Sequence, residues 1–350
     1  MRPPQGWCLL SSVIGYYLHD LSPFLVRFSN SIGIRWYGLA YVTAFLVGFL
    51  LLRHFCRKGY CQLHPSQVGD FITMAALFGV LLGGRIGYML FYNLDAFLEN
   101  PAIFFHFLQG GMASHGGILG LVVFTYIFAR RKKISWRGIG DNLCTVAPVG
   151  LFLGRMANFI NGELYGRKTD LPWAVQFPEE IREANFVSPE NLTRADLGRE
   201  LAPLKIPSGP SADSGNTEII EAARDNEAVQ EILREYLNAR HPSQIYQALL
   251  EGLALFLILY ILRCKHPGLR PGILTGIFFI GYALFRIIGE VFREAADGYI
   301  GLFTRGQFLS LFMVAIGLLF IISAFVWPSR GTTQAGNKTA RDSESQTSGS

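Results

Sequence analysis

The sequence predicts an all-α polytopic membrane protein with seven transmembrane helices and a periplasmic insertion between the fourth and the fifth. Three observations lead there. Of 350 residues, 16% are charged and 50% hydrophobic, whereas soluble globular chains average about 25% charged. Seven apolar stretches are long enough for a hydrocarbon core about 30 Å thick, which takes roughly 20 helical residues. The charge is also unevenly placed. Residues 164–242 hold 9 basic and 14 acidic side chains, and the other 271 residues hold 22 basic and 12 acidic ones. An apolar, net-basic body carrying one acidic insertion excludes an ordinary cytosolic enzyme.

Taken in order, residues 1–35 form an N-terminal periplasmic or interfacial segment. Its apolar run Trp7–Leu18 is too short to span, and no small-residue cleavage site follows it, so an uncleaved interfacial segment is expected over a signal-peptide core. Spans one to four fall at 36–52, 71–92, 113–129 and 142–161, within residues 36–163. The periplasmic head insertion, 164–242, comes next. Its stretch Pro203–Asn216 is rich in Pro, Ser and Gly and reads as a linker. Thr217–Leu237 reads as one amphipathic helix, with Ile220, Ala223, Ile232, Leu233, Tyr236 and Leu237 near one face, suited to lie on the membrane or on the bundle. Spans five to seven, at 244–263, 272–293 and 307–327, fill residues 243–327. Residues 328–350 are a cytoplasmic tail whose last twenty residues lack apolar periodicity, the pattern of disorder. No internal repeat is present, which weakens an inverted-repeat transporter reading.

Lys and Arg concentrate in cytoplasmic loops. Arg53, Arg57 and Lys58 follow the first span; Arg130, Arg131, Lys132, Lys133 and Arg137 follow the third; Arg263, Lys265 and Arg270 follow the fifth. Arg330, Lys338 and Arg341 lie beyond the seventh, and residues 94–112 contain no Lys or Arg. Every second loop is basic. The N-terminus therefore lies outside, the C-terminus inside, and the insertion faces outward, which for a bacterial inner membrane means the periplasm. Five cysteines give an odd count without a disulfide framework. Cys56, Cys144 and Cys264 fall near cytoplasmic span ends, where thiols stay reduced. His54, Cys56, Cys61 and His64 match no common zinc spacing, and no metal site is expected.

Ionisable groups inside spans are costly and are functional candidates by default; the alternative is that they pair and hold helices together. The densest set is the run 154–166, GRMANFINGELYG. Arg155 and Asn158, three apart, share a helix face. Asn161-Gly162 ends that helix at the outer surface and leaves Glu163 and Tyr165 at the water boundary, where Glu163 is placed to orient Arg155. A guanidinium suits two-point recognition of phosphate oxygens better than an ammonium does. A second set, SHGGILG (114–120), opens the third span. Its glycines permit close approach of backbone or headgroup, and His115 can accept a proton at neutral pH. The sixth span sets Tyr282, Arg286, Glu290 and Arg293 on one stripe, and Arg286 and Glu290 are placed to pair. Arg85, Tyr88 and Tyr92 share a face of the second span. Tyr37 stands in the aromatic run at the first, and His241 opens the fifth, with Ser243 a candidate N-cap and Glu251 further in. Arginines, few acids and one or two histidines at the outer leaflet point to an anionic lipid headgroup as ligand. A transporter of anions and a non-catalytic scaffold could use the same arginines, but a transporter needs polar groups at both leaflets.

The runs GRMANFINGELYG (154–166), SHGGILG (114–120), HPSQIY (241–246), IRWYGL (34–39) and YALFRIIGEVFRE (282–294) closely resemble the prolipoprotein diacylglyceryl transferase family of the bacterial inner membrane, in the family's order and over most of residues 30–327. The resemblance implies seven transmembrane helices and transfer of the diacylglyceryl group of phosphatidylglycerol to the lipobox cysteine of a prolipoprotein signal peptide. A thioether forms and glycerol phosphate leaves. It implies no metal or soluble cofactor; the partners are the two substrates and the lipid bilayer, with no nucleic acid. Carried over residue by residue, it places His115, Arg155, Asn158, Glu163 and Arg286 in catalysis. Arg155, Arg286, Glu290, Tyr37, Gly166, Arg85 and His241 are expected to bind phosphatidylglycerol. His115 is either the base for the thiol or the group that positions it. Two departures stand out: Gln247 occupies a position where the family often has Glu, and 178–238 is longer than the compact head of familiar members.

Overall fold

The computed structural model describes residues 15–28, 33–106, 110–183, 186–206, 212–294, 299–300 and 303–327. Most of the expected interfacial run 7–18 and the whole expected tail lie outside the described residues. Long helices dominate: α1 (Trp36–Arg57), α2 (Pro65–Tyr92), α3 (Ser114–Lys132) and α4 (Trp136–Ile160) precede the insertion. Within the insertion lie α5 (Arg194–Leu201), α6 (Ala212–Asp225) and α7 (Glu227–Tyr236), and after it α8 (Ser243–Lys265), α9 (Ile273–Val291) and α10 (Arg305–Val326).

Six of the long helices, all except α3, are long and apolar enough to cross a membrane, and in their most apolar windows only 17–33% of residues are buried by protein. Helices that apolar and that uncovered would be an aggregation liability in water; in a bilayer the exposed face meets lipid. The chain is a polytopic, multi-pass membrane protein. Pro148 sits inside α4, a position that helices in membranes tolerate when neighbours re-satisfy the freed carbonyl. The expected third span coincides with α3, whose 19 residues include Gly116, Gly117 and Gly120 and end in Arg130, Arg131 and Lys132. That composition keeps α3 out of the apolar set.

Two compact units divide the chain. The first takes residues up to Thr43, Gly150–Ala254 and Tyr282–Leu311. Its three-stranded sheet pairs β1 (Tyr17–Leu18) in parallel with β4 (Val175–Gln176), which runs antiparallel to β5 (Ala239–Arg240). A hairpin of β2 (Phe24–Arg27) and β3 (Gly33–Arg35) leads into α1, and β6 (Tyr299–Ile300) pairs with β7 (Phe303–Thr304) ahead of α10. The insertion has its own core of Ile181, Phe186, Leu197, Leu201, Ile220, Val229, Leu233 and Leu237, closed by Leu18 of β1. Each such fully buried aliphatic side chain contributes roughly 1.5–3 kcal/mol. This corrects the expectation for Thr217–Leu237. The expected apolar face faces a protein core, and two helices replace one, because the Asn226 side chain accepts from Ala228 N and Val229 N and starts α7 anew. Parts of the expected linker are also helical: Pro203 and Leu204 lie in a short 3₁₀ turn, Ala202–Leu204, and Asn216 lies within α6.

The second unit takes Ala44–Val149, Leu255–Gly281 and residues from Phe312 on. Here α2 and α3 meet along glycines. A Cβ on Gly116 would come within 2.5 Å of Gly83 O and 2.8 Å of Gly87 Cα, and one on Gly120 within 2.3 Å of Gly79 O. The glycines of SHGGILG thus admit a neighbouring backbone, as small residues four apart do in membrane helix pairs. Asp141 of α4 caps α9 from outside, accepting from Gly272 N at 2.8 Å, Thr275 N at 2.7 Å and Thr275 Oγ1 at 2.8 Å. Cys56 and Cys61 form a disulfide, with their Cα atoms 4.7 Å apart. This corrects the expectation of a reduced thiol at Cys56, while Cys144 and Cys264 are free: Gly59, at φ +74°, turns the chain after α1 and brings Cys56 and Cys61 within bridging range. Two of the four residues of the rejected metal knuckle are thereby joined to each other.

Candidate active site

The first unit gathers most of the charged residues that the sequence singled out. Its geometry begins with a close helix contact, since a Cβ on Gly252 of α8 would fall 2.6–2.8 Å from Phe152 of α4. Arg155 lies three residues after Phe152, on the same face, and so meets Glu251. Arg155 Nη2 is 3.1 Å from Glu251 Oε2, and Arg286 Nη1 of α9 is 3.6 Å from Glu251 Oε1. Arg286 Nη2 reaches Glu290 Oε2 at 3.9 Å, and Gly306 makes room for that carboxylate, since a Cβ there would stand 3.0 Å from it. Arg155 also hydrogen-bonds Tyr282. The Glu251 side chain is 0% exposed, and burial without a charged partner would be prohibitive. The sequence reading passed over Glu251 as a residue merely further in; its signal was a lone carboxylate within an apolar span.

Electrically, two guanidiniums oppose two carboxylates. Glu251 Oε1 and Glu290 Oε2 are buried and make no hydrogen bond, their contacts with Arg286 being longer ion pairs. Each guanidinium carries five N–H donors in a fork, so the pair can hold two oxygens of a phosphate while Glu251 keeps both arginines aimed. Low dielectric strengthens such contacts wherever water is excluded.

Next along α4 the chain turns. The helix ends at Ile160, Gly162 takes φ +70°, and Glu163 folds back so that Asn158 Nδ2 donates to Glu163 Oε1 at 2.9 Å and to the Tyr37 hydroxyl. The expected partner of Glu163 was Arg155; the left-handed turn gives it Asn158 instead. Gly166 is where three of the quoted runs meet. Gly166 N donates to His241 O and Arg167 N to Phe292 O, both at 2.9 Å, and a Cβ on Gly166 would lie 2.4 Å from Phe292 O. His241 packs edge-on against Tyr246 and Phe292, and burial lowers its pKa. Ser243 is not the cap of α8: Pro242 holds that position, and Ser243 Oγ donates to Leu164 O at 3.1 Å. Because α9 stops at Val291, Arg293 leaves the expected helical stripe and its carbonyl accepts from Arg167 Nε at 2.8 Å.

Arg240, which the sequence reading missed, fastens this junction. Only 2% exposed, it pairs with Glu180 at 2.6 Å, with Glu183 at 3.5 Å and with Glu294, and lies over the Tyr165 ring. Burial works against its charge, and the three carboxylates more than restore it. Burial and the hydrogen bond to Glu183 raise the Tyr165 hydroxyl. Nothing in the local pattern reveals Arg240, because its partners lie 54–60 residues away.

The other two site candidates belong to the second unit. His115 is exposed in the first turn of α3. Arg85 is buried and donates to the carbonyls of Ile103, Phe104 (2.8 Å), His106 (3.2 Å), Gly110 (2.6 Å) and Gly111 (3.0 Å). Its guanidinium gathers the backbone that leads into α3.

Comparison with known proteins gives the family. The family model described as prolipoprotein diacylglyceryl transferase matches residues 23–323. A Bdellovibrio bacteriovorus protein named phosphatidylglycerol–prolipoprotein diacylglyceryl transferase is 37% identical over 337 residues, covering 89% of this chain and 94% of its own length. Proteins of the same name from Gluconacetobacter diazotrophicus (38% identical, 85% of this chain and 88% of theirs) and Bradyrhizobium diazoefficiens (39%, 83% and 87%) are similarly close. With a matched segment that takes in all five quoted runs, the chain belongs to the prolipoprotein diacylglyceryl transferase family.

Proposed function

We propose that this chain transfers the diacylglyceryl group of phosphatidylglycerol to the lipobox cysteine of prolipoprotein signal peptides, in the inner membrane of a bacterium. The observation that carries the reading is the Arg155–Glu251–Arg286–Glu290 cluster, set in membrane helices of a chain whose relatives bear that activity in their names. The chain crosses seven times, α3 included, with its N-terminus and the 164–242 head in the periplasm and its C-terminus in the cytoplasm. The basic loops after α1, α3 and α8 support this orientation.

In the reaction, sulfur attacks a glycerol carbon, the C–S bond forms as the C–O bond to phosphate breaks, and glycerol phosphate leaves. Arg155 and Arg286 hold the phosphate and stabilise the charge that builds on it, worth a few kcal/mol each where water is excluded. Glu251 and Glu290 aim the arginines and balance their charge. Asn158, fixed by Tyr37 and Glu163, borders the site, and Gly166 sets His241 beside it. A free thiol is mostly protonated at neutral pH, and His115 takes or positions that proton. Arg85 holds the loop before His115. Bringing two substrates into one pocket supplies much of the rate.

Purified protein incubated with phosphatidylglycerol and a lipobox peptide should add a diacylglyceryl mass to the peptide; no gain under conditions that preserve the fold rejects the reading. Arg155→Ala should lose both turnover and phosphatidylglycerol binding, whereas His115→Gln should lose turnover and keep lipid binding. Full activity in the histidine variant would remove the base role.

A further inference from the structure

We propose a second lipid site, for an anionic phospholipid held by its phosphate, in the second unit at the basic ends of α3 and α4. An open cleft of about 830 Å³ lies there between the end of α3, the start of α4 and the last turns of α10. Its composition is that of a lipid seat. Leu319 and Phe320 of α10 give apolar lining, Trp136 and Trp327 give amphipathic rings of the kind found at headgroup level, and Arg130 and Arg137 supply positive charge. None of its lining residues is acidic.

Hydrogen bonding separates the roles of the two arginines. Arg137 donates to the carbonyls of Ser323 and Trp327, so the negative end of α10 is already capped from within the cleft. Arg130 donates through Nε and Nη2 to the Tyr126 hydroxyl, at 3.1 and 3.0 Å, which holds its guanidinium over the ring while the side chain stays exposed. Arg131, Lys132 and Lys133 continue the charge in sequence, and the positive end of α4 opens at Trp136. Basic pockets between helices at a membrane surface select anionic headgroups over zwitterionic ones. Charge complementarity also argues against the chain's own C-terminal segment as occupant: residues 328–350 carry Arg330, Lys338 and Arg341 against Asp342 and Glu344 and are themselves net basic. The cleft draws all its lining residues from the second unit, and the proposed phosphate clamp of Arg155 and Arg286 belongs to the first.

The test uses the full chain in phosphatidylcholine nanodiscs, with Trp7, Trp36 and Trp173 replaced by Phe so that Trp136 and Trp327 report. Phosphatidic acid with brominated acyl chains, at a low mole fraction, should quench at least about threefold more than brominated phosphatidylcholine at the same fraction. Arg130→Gln should bring the two lipids to nearly equal quenching, the loss of roughly one phosphate–arginine contact, and leave turnover of phosphatidylglycerol within about twofold. Raising salt to about 0.5 M should reduce the preference without any substitution. Because both leaflets carry the probe, the outcome does not depend on orientation. Arg155→Ala should leave the quenching unchanged, so a failed transferase reading and a failed second site give different results. Equal quenching by the two lipids, or a preference untouched by both Arg130→Gln and salt, overturns the proposal. Quenching that appears only after deletion of residues 328–350 overturns it too, assigning the cleft to the chain's own end.

Discussion

Glu251 shows what a single residue contributes that its neighbours cannot. Among the described residues it is the one carboxylate paired with both Arg155 and Arg286, so Glu251→Gln keeps the shape and removes the charge that aims them. Turnover should fall by on the order of 10–100-fold, from misaligned phosphate contacts; kinetics with varied phosphatidylglycerol check this, and unchanged kcat would reduce Glu251 to helix packing. The Arg286–Glu290 pair was legible because helical spacing alone brings residues i and i+4 together. The Arg155–Glu251 pair was not, because it depends on Gly252 lying against Phe152 across two helices. His19 carries a second residue-scale prediction. Burial lowers its pKa below the ordinary 6.5, against an opposing hydrogen bond to the Phe159 backbone, and its Nε2 is buried without a partner. The unfolded chain therefore binds more protons than the folded one below about pH 6.5. The stability of the neutral ring is fully present above that pH and is lost as pH falls towards the folded value. His19→Phe, packed between Phe159 and Phe177, should flatten the loss of thermal stability between about pH 7 and 5. An equally steep profile in the variant would remove His19 as its source.

At the scale of elements, the quoted runs divide into those that carry chemistry and those that carry packing. In SHGGILG the glycines are occupied by the glycines of α2, so Gly116→Ala or Gly120→Ala forces two helix backbones apart. Overpacking of this kind costs typically 1–3 kcal/mol. Gly48→Ala on α1 is the control, since a Cβ there meets nothing within 4 Å. Thermal unfolding in detergent should separate them: clear destabilisation at Gly116 and Gly120, and none or a slight gain at Gly48, where Ala is the better helix former. Equal effects at all three positions would mean that propensity, not contact, decides. The positions of the long helices were readable from the apolar stretches, with each end within six residues of the expected one. The breaks between elements were harder, because they follow from single side chains. Asn226 splits one expected helix into α6 and α7, and Gly59 closes the Cys56–Cys61 loop; both signals were present, but an unbroken apolar face outweighed the first and an odd cysteine count the second.

For the whole molecule the open matter is the third crossing, and α3 states it in physical terms. Nineteen residues give about 28 Å of helix, enough for a core of about 30 Å, yet α3 is too polar to qualify by composition. The glycine seam resolves the conflict. Gly116 and Gly120 face α2, so protein contact replaces the lipid contact that a scale of apolarity measures, while Ile118, Leu119, Val122 and Val123 stay exposed and supply an apolar face for lipid. If α3 crosses, residues 94–112 and the basic loop after α3 lie on opposite sides; if it does not, they share one. With all five cysteines replaced by serine and turnover retained, Glu99→Cys should react with a membrane-impermeant thiol reagent in intact spheroplasts, as should Glu190→Cys in the head. Lys132→Cys should react only after permeabilisation. All three positions are exposed, so silence cannot be put down to burial. Labelling of both Glu99→Cys and Lys132→Cys in intact cells would leave six crossings and place the proposed anionic-lipid cleft in the outer leaflet. That arrangement would put Arg130, Arg131, Lys132 and Lys133 against the preference of basic loops for the cytoplasm, which is the physical reason to expect seven.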